Sequence, residues 1–326
     1  MRLVLSRALL LALALAAPAR ADLRVAVISD LNGAYGSTHY GPSVARAVAR
    51  IVALKPDLVI VTGDMVAGQR LHPLLERDAL EAMWKAFHAE VTDPLAAAGI
   101  PLAVTPGNHD ASDYERFSLE RSIFREQWRE RTQGLRFVDR ADHPLHYAFA
   151  VGDALFVSLD ATRIGALDPK QRRWLDALLE REAGGFRHRV VFGHLPIYPI
   201  AQGREREVMA DHELERVLRR HGVELFLSGH HQAFYPGFHE GVRHVGQACL
   251  GAGPRKPIGS TRTSERALTW LELGATGVRV TALGGPGLDR PIDLATLPEA
   301  IHSSVGTLVR EDLGRVGDGP AAASRP

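Results

Sequence analysis

Thr105-Pro106-Gly107-Asn108-His109-Asp110 follows a short apolar segment, residues 101–104, and sets an amide, an imidazole and a carboxylate in three consecutive positions. Such groups can bind a metal, move a proton and orient one another. Two segments of the same form precede it: residues 25–29 run into Asp30, and residues 58–62 run into Gly63-Asp64. Two more follow it. Residues 190–192 lead into Gly193-His194, and residues 224–228 into Gly229-His230-His231-Gln232. Five β-like runs thus each end in a residue type that ligates metals. In an open α/β sheet the C-terminal ends of strands converge on one crevice, so the pattern predicts a metal site.

The candidate ligands are Asp30, Asn32, Asp64, Asn108, His194 and His230, with Gln232 close by. A mixture of carboxylate, imidazole and amide suits Mn, Fe or Zn better than Mg or Ca alone. One carboxylate bridging two ions makes a two-metal hydrolytic site, which clamps the attacking and leaving oxygens of an in-line displacement at phosphorus.

Around these motifs, residues 23–192 alternate strand-like and helix-like segments. Residues 41–54 read as an amphipathic helix opened by Gly41-Pro42, and 74–98, 113–131, 169–182 and 205–221 as further helices. Residues 145–149 and 154–159 form strands joined by a Gly152-Asp153 turn. Beyond Leu225 the character turns to β, with hairpins over 234–245 and 267–282. An α/β first half and a β-rich second half imply two sheets packed face to face with helices outside. Residues 284–326, rich in Gly, Pro and Ala, read as an irregular tail whose last dozen residues are disordered.

The bulk properties exclude several classes. A chain of 326 residues, 45% hydrophobic and 24% charged, has the composition of a globular protein. Its formal net charge of +1 argues against electrostatically driven nucleic-acid binding. Arg2 and Arg7, the apolar run 8–17 and Ala19-Arg20-Ala21 have the layout of a secretory signal peptide, residues 1–21, cleaved before Asp22. The run is shorter than the roughly 20 residues of a spanning helix, and no later segment could span. The mature chain is therefore expected to be exported, to a bacterial periplasm. The single cysteine, Cys249, excludes an intramolecular disulfide and reads as a small core residue.

The ordered set Asp-x-Asn, Gly-Asp, Gly-Asn-His-Asp, Gly-His-x-Pro and Gly-His-x-Gln resembles the calcineurin-like metallophosphoesterase superfamily over residues 23–282. The segment 193–202 also resembles, more loosely, the purple acid phosphatase branch. The resemblance implies an α/β/β/α sandwich over residues 22–283 with a dinuclear centre at the strand C-terminal ends. It implies that Asp64 bridges the ions and that Asn108, His194 and His230 complete the second ion's ligands, an ion such as Mn, Fe or Zn. Asp30 then holds the first ion. His109 stands beside the substrate, stabilising phosphoryl oxygens or protonating the leaving group.

Three departures from that pattern are informative. The family usually has histidine where this chain has Asn32 and Gln232. Both belong to the first ion, whose donors here would be Asp30, Asn32, Asp64 and Gln232, all oxygen if the amides present their carbonyls. Such a site favours a weaker, harder ion such as Mn, Mg or Ca. His231 is an alternative to Gln232 through a local shift. Many relatives also carry an aspartate or tyrosine where this chain has Ala67, leaving His109 to find another partner, of which Asp110 is nearest in sequence.

Outside the motifs, Tyr35 lies in the loop beside the first ligands, and Arg163 and Arg255 could neutralise a phosphate by paired contacts. Segments 33–40, 69–72 and 198–207 are expected to wall the pocket. The reading is a metal-dependent hydrolase of small phosphomonoesters or phosphodiesters using a metal-activated hydroxide. The rival is a metal- or ligand-binding protein on the same scaffold with degraded catalysis.

Overall fold

In the computed structural model the described residues are 22–251 and 253–314. The expected signal peptide, residues 1–21, and the last dozen residues, expected to be disordered, lie outside them. The chain begins with β1 (Leu23–Ile28), α1 (Pro42–Leu54) and β2 (Leu58–Val61). It continues through α2 (Arg77–Phe87), a π-helical turn (His88–Thr92), α3 (Asp93–Ala97) and β3 (Leu102–Val104). Then come α4 (Asn108–Ala111), α5 (Ser118–Trp128), β4 (Arg136–Asp142), β5 (His146–Val151) and β6 (Ala154–Ser158). The third quarter holds α6 (Pro169–Glu182), β7 (His188–Phe192), α7 (His212–Arg220) and β8 (Leu225–Ser228). The hairpins β9 (Tyr235–His239) with β10 (Val242–Gly246) and β11 (Leu268–Gly274) with β12 (Gly277–Gly284) come next. The short elements β13 (Arg290–Pro291), β14 (Ala300–His302), β15 (Thr307–Arg310) and α8 (Glu311–Gly314) close the chain.

Two mixed sheets result, a six-stranded one in the order β13-β12-β11-β1-β2-β3 and a nine-stranded one in the order β14-β15-β9-β10-β8-β7-β6-β5-β4. Alternation along each strand explains the layering. Val25, Val27, Leu58 and Ile60 face Phe156, Val190, Phe192, Leu225 and Leu227 in one apolar layer between the sheets. Their neighbours Ala26, Ile28, Val59 and Val61 point the other way and pack on Val44, Ala47 and Ile51 of α1. Leu155, Val157, Val191 and Phe226 likewise pack on Leu175 and Leu179 of α6 and Leu214 and Leu218 of α7. With both faces covered, the strands β2, β6 and β8 are buried at every position and read as apolar runs, the last two ending in Ser158 and Ser228. The four-layer α/β/β/α sandwich expected from the sequence is the fold.

Three sequence expectations need correcting. The segment 205–221 is helical only as α7, because Asp211 caps it: its carboxylate accepts from Leu214 N at 2.9 Å and from Leu167 N at 3.0 Å. The residues before it form turns. The tail from residue 284 is not irregular throughout. β13 extends the first sheet along β12, and the β14–β15 hairpin extends the second along β9. Strands of two to four residues have no readable period, and pairing alone defines them. The polar strand β4 was also missed, an edge strand whose pairing with β5 carries register shifts. No helix among the described residues is long and apolar enough to cross a membrane.

Candidate metal centre and active site

The site lies where β1, β2, β3, β7 and β8 end. Asp30, Asp64, His230 and Gln232 are all non-glycine residues with positive φ, at 50°, 55°, 64° and 53°. A left-handed backbone costs an L-residue roughly 1–2 kcal/mol, and here it turns four predicted ligands inward from their strand ends. The motif glycines permit close approach. A Cβ on Gly107 would lie 2.0 Å from Asp64 N, and one on Gly229 would lie 2.2 Å from Ser29 Oγ and 2.8 Å from Asp30 Oδ2.

Asp64, His194 and His230 are buried and each offers a donor atom within 4.8 Å of the others. His194 Nδ1 donates to Thr62 O at 2.8 Å, which turns Nε2 toward Asp64 Oδ1 at 3.2 Å and Asn108 Oδ1 at 2.9 Å. Asn108 is oriented in turn: its Nδ2 donates to Gln69 Oε1 at 2.7 Å, leaving its carbonyl for the centre. On His230 it is Nε2 that is engaged, 3.0 Å from Glu207 Oε2, so Nδ1 is the nitrogen left for a metal. These are the outer partners that fix tautomer and ring orientation in ligating histidines.

Around the first ion's place, Asp30 accepts from Ser29 Oγ at 2.6 Å, from His230 N at 3.1 Å and from Gln232 Nε2 at 3.4 Å. Asn32 N donates to Asp64 O at 3.2 Å, and its buried Oδ1 has no hydrogen-bond partner. A buried acceptor without a donor is costly, and a cation satisfies it. Charge points the same way. Burial pushes the Asp30 carboxyl up to about 6, with Asp64 adding to the rise and His194 opposing it. Burial also acts against charge on Asp64 and His194, but their mutual attraction prevails: Asp64 is held well below the usual carboxylate range and His194 is pushed up to about 9. Buried carboxylates, inward imidazoles and an unpartnered amide oxygen fit divalent ions. Asp64, Asn108, His194 and His230 would hold one, and Asp30, Asn32, Asp64 and Gln232 the other.

His109 reaches the centre from the other side. Its backbone N donates to Asp64 Oδ1 at 3.0 Å, and its Nε2 lies 3.9 Å from Asp64 Oδ2. Its Nδ1 donates to the Gly68 carbonyl at 2.9 Å. The expected pairing with Asp110 is not made. Asp110 is buried and accepts from the amides of Met65, Val66 and Gly107 at 2.8, 2.9 and 2.9 Å, lacing the Asp64 turn to the Asn108 turn. Its role is therefore to hold the loops. His231 is not a substitute ligand either. Its Nδ1 accepts from Ile200 N and Ala201 N, and its Nε2 donates to Glu207 O at 3.1 Å.

Of the remaining candidates, Tyr35 stands at the site, its ring 5.4 Å from that of His109. Arg255 lies beside Gln232, whose carbonyl accepts its backbone N at 3.1 Å, and its Nε is buried without a partner. Arg163 is placed on Tyr114, 5.2 Å from the ring centroid, in a neighbouring 740 Å³ cleft with Asp160 and Arg121. Among the described residues no contact joins it to the ligands. The sequence reading missed Gln69, Glu207, Arg204 (paired with Glu207) and the Gly68 carbonyl as orienting groups. Gln69 and Glu207 do lie in segments expected to wall the pocket, but no motif marks their roles.

The model of the calcineurin-like phosphoesterases matches residues 23–233. The chain belongs to this family: it is a metallophosphoesterase with a dinuclear divalent metal site. Among solved structures it is similar to a dimetal phosphatase from Danio rerio, at 18% identity and a TM-score of 0.60, covering 83% of this chain and 98% of that one. It is similar too to a purple acid phosphatase from yellow lupin seeds, at 17% identity and a TM-score of 0.59, covering 81% of this chain and 51% of that one. GAP50, the anchor in the inner membrane complex of Plasmodium, shares the fold at 14% identity and a TM-score of 0.56, over 86% and 92% of the two chains. No curated protein matches the chain in sequence.

Proposed function

We propose that the chain hydrolyses small phosphoric esters at a centre where Asp64 and its neighbours would hold two divalent ions, with His109 facing the scissile bond. The convergence of Asp64, His194 and His230 donors within 4.8 Å, with His109 on the same carboxylate, carries this reading. When bound, the ions would neutralise phosphoryl oxygens and make a water acidic enough to act as the nucleophile. The chain's own residues do the rest. With Nδ1 donating to Gly68 O, the protonated His109 ring has Nε2–H to donate to the leaving-group oxygen. Tyr35 covers that ring, and Arg255, held beside Gln232, would offer guanidinium donors to a phosphoryl oxygen.

If Asn32 and Gln232 present their carbonyls, the first ion would be held weakly and be hard (Mn, Mg or Ca), while the second would be Mn, Fe or Zn. Two zinc ions held equally tightly would overturn this. Export to the periplasm rests on residues 1–21. Mature protein beginning at Asp22 would support it, and an intact Met1 would count against it.

The deciding assay is hydrolysis of p-nitrophenyl phosphate and bis(p-nitrophenyl) phosphate by the mature chain, first stripped of metal and then supplied with Mn²⁺. Metal-dependent turnover that disappears in Asp64→Ala is expected. Absence of turnover on both substrates would favour the rival reading, binding without catalysis.

A further inference from the structure

Burying a carboxyl costs free energy unless a donor meets it, and α5 buries one. Its inward face carries Glu120 together with Ile123, Phe124 and Trp128. Glu120 is 4% exposed. Burial pushes its carboxyl up to about 7, with the Gln69 amide opposing the rise. Packing alone would favour an apolar residue at that position. What the carboxyl meets is backbone: its Oε2 accepts from Gln69 N at 2.8 Å.

The carbonyl of that same peptide unit is Gly68 O, which accepts from His109 Nδ1 at 2.9 Å. A planar trans peptide directs its N–H and its C=O to opposite sides, so one rigid group spans the carboxyl and the imidazole. The backbone is shaped for it. Gln69 has a φ of 66°, in the left-handed region. A Cβ on Gly68 would lie 2.3 Å from His109 O and 2.8 Å from Glu120 Oε2, so only glycine lets the three approach. Both flanks are anchored: Gly36 N donates to Ala67 O at 2.7 Å, and Asn108 Nδ2 donates to Gln69 Oε1 at 2.7 Å. Between those anchors the bond to Glu120 fixes the rotation of the peptide, and with it the direction of Gly68 O. Ala67 brings no polar side chain to His109, and Asp110 is committed to the amides of Met65, Val66 and Gly107.

We propose that Glu120 is a positioning residue for His109, acting through the Gly68–Gln69 peptide: it holds the carbonyl that keeps Nδ1 turned inward and Nε2 free for the leaving-group oxygen. This rests on the reading of His109 as the proton donor to that oxygen. Removing the carboxyl frees the peptide to rotate. His109 then loses its aim while its own atoms and all the metal ligands remain in the chain.

The test compares phenyl phosphate with p-nitrophenyl phosphate on the Mn²⁺-loaded chain. Phenolate is the poorer leaving group and depends more on the proton that His109 supplies. Glu120→Ala should lower kcat on phenyl phosphate about tenfold beyond any fall on p-nitrophenyl phosphate. Glu120→Leu, which keeps the volume and removes the acceptor, takes its place if the alanine variant does not fold. Glu120→Gln, whose amide oxygen still accepts from Gln69 N, should restore the parent ratio. In a His109→Ala background the loss of Glu120 should leave the ratio where His109→Ala alone puts it. Equal falls on both substrates, or a further fall in that background, overturn the proposal. So does a loss of metal affinity in chelator competition with the ratio unchanged, which confines Glu120 to the Gln69–Asn108 contact. Absence of turnover by the parent bears on the phosphoesterase reading, and ¹⁵N spectra of the neutral His109 ring in the Zn²⁺-loaded chain then decide this one. The parent and Glu120→Gln are expected to carry the proton on Nδ1, and Glu120→Ala to shift toward the Nε2–H form. Identical ring spectra in all three overturn the assignment.

Discussion

Glu207 and His230 are joined carboxylate to ring, Oε2 to Nε2 at 3.0 Å, with Arg204 closing on the same carboxylate oxygen. His231, the neighbour of His230, pins the segment that makes this possible, receiving the amides of Ile200 and Ala201 and donating to Glu207 O. One histidine of the pair faces the centre while the other fastens the loop that orients it. Glu207→Gln keeps the shape and weakens the acceptor. Affinity for the ion held by Asp64, Asn108, His194 and His230 should fall about 10- to 100-fold, measured by chelator competition. Unchanged affinity would show that Glu207 belongs to the loop alone.

Asn32 and Gln232 are both buried beside Asp30, at positions where the family resemblance leads one to expect histidine. The double change Asn32→His, Gln232→His should convert an oxygen-rich site into one that retains zinc. Dialysis against limiting Zn²⁺ followed by metal analysis is expected to rise from about one bound ion per chain toward about two. A parent protein that already holds two zinc ions would contradict the assignment.

Asp110 accepts three backbone amides from the Asp64 and Asn108 turns. Burial, followed by the neighbouring Asp64 charge, pushes its carboxyl up to about 7. Asp110→Ala leaves those amides unsatisfied and should destabilise the fold by about 2–5 kcal/mol, read from denaturant unfolding. A residue acting only in catalysis would lower turnover and leave the unfolding midpoint in place.

His88 is buried between Trp84 and Trp128, with its ring nitrogens 3.0 Å from Thr92 Oγ1 and 3.1 Å from Gln127 Oε1. Burial, aided by Arg131, lowers its pKa from 6.5 to about 4. Between those values the unfolded chain binds a proton that the folded chain refuses. This group's contribution is therefore complete above pH 6.5 and is lost as pH falls toward about 4, a total of about 3 kcal/mol. Urea unfolding across that window should show a shallower acid limb for His88→Gln than for the parent. Parallel limbs would assign acid sensitivity elsewhere.

The sequence by itself determined the sandwich and most of the centre, for identifiable physical reasons. The buried parallel strand β2 is an unbroken apolar run, α1 places Val44, Ala47, Val48 and Ile51 on one face, and a ligand directly after a strand must emerge at its end. Gly107 and Gly229 stand where no Cβ fits, so the motifs advertise their own close packing. Only the tertiary structure decided who orients whom. Gln69 reaches Asn108 across 39 residues, Gly68 reaches His109 across 41, and Glu207 reaches His230 across 23. It also moved Asp110 from the chemistry to the loop framework and placed β14 and β15 on the second sheet. Periodicity encodes which face of a segment is buried, whereas the path of a loop follows from hydrogen bonds made after the sheets have packed.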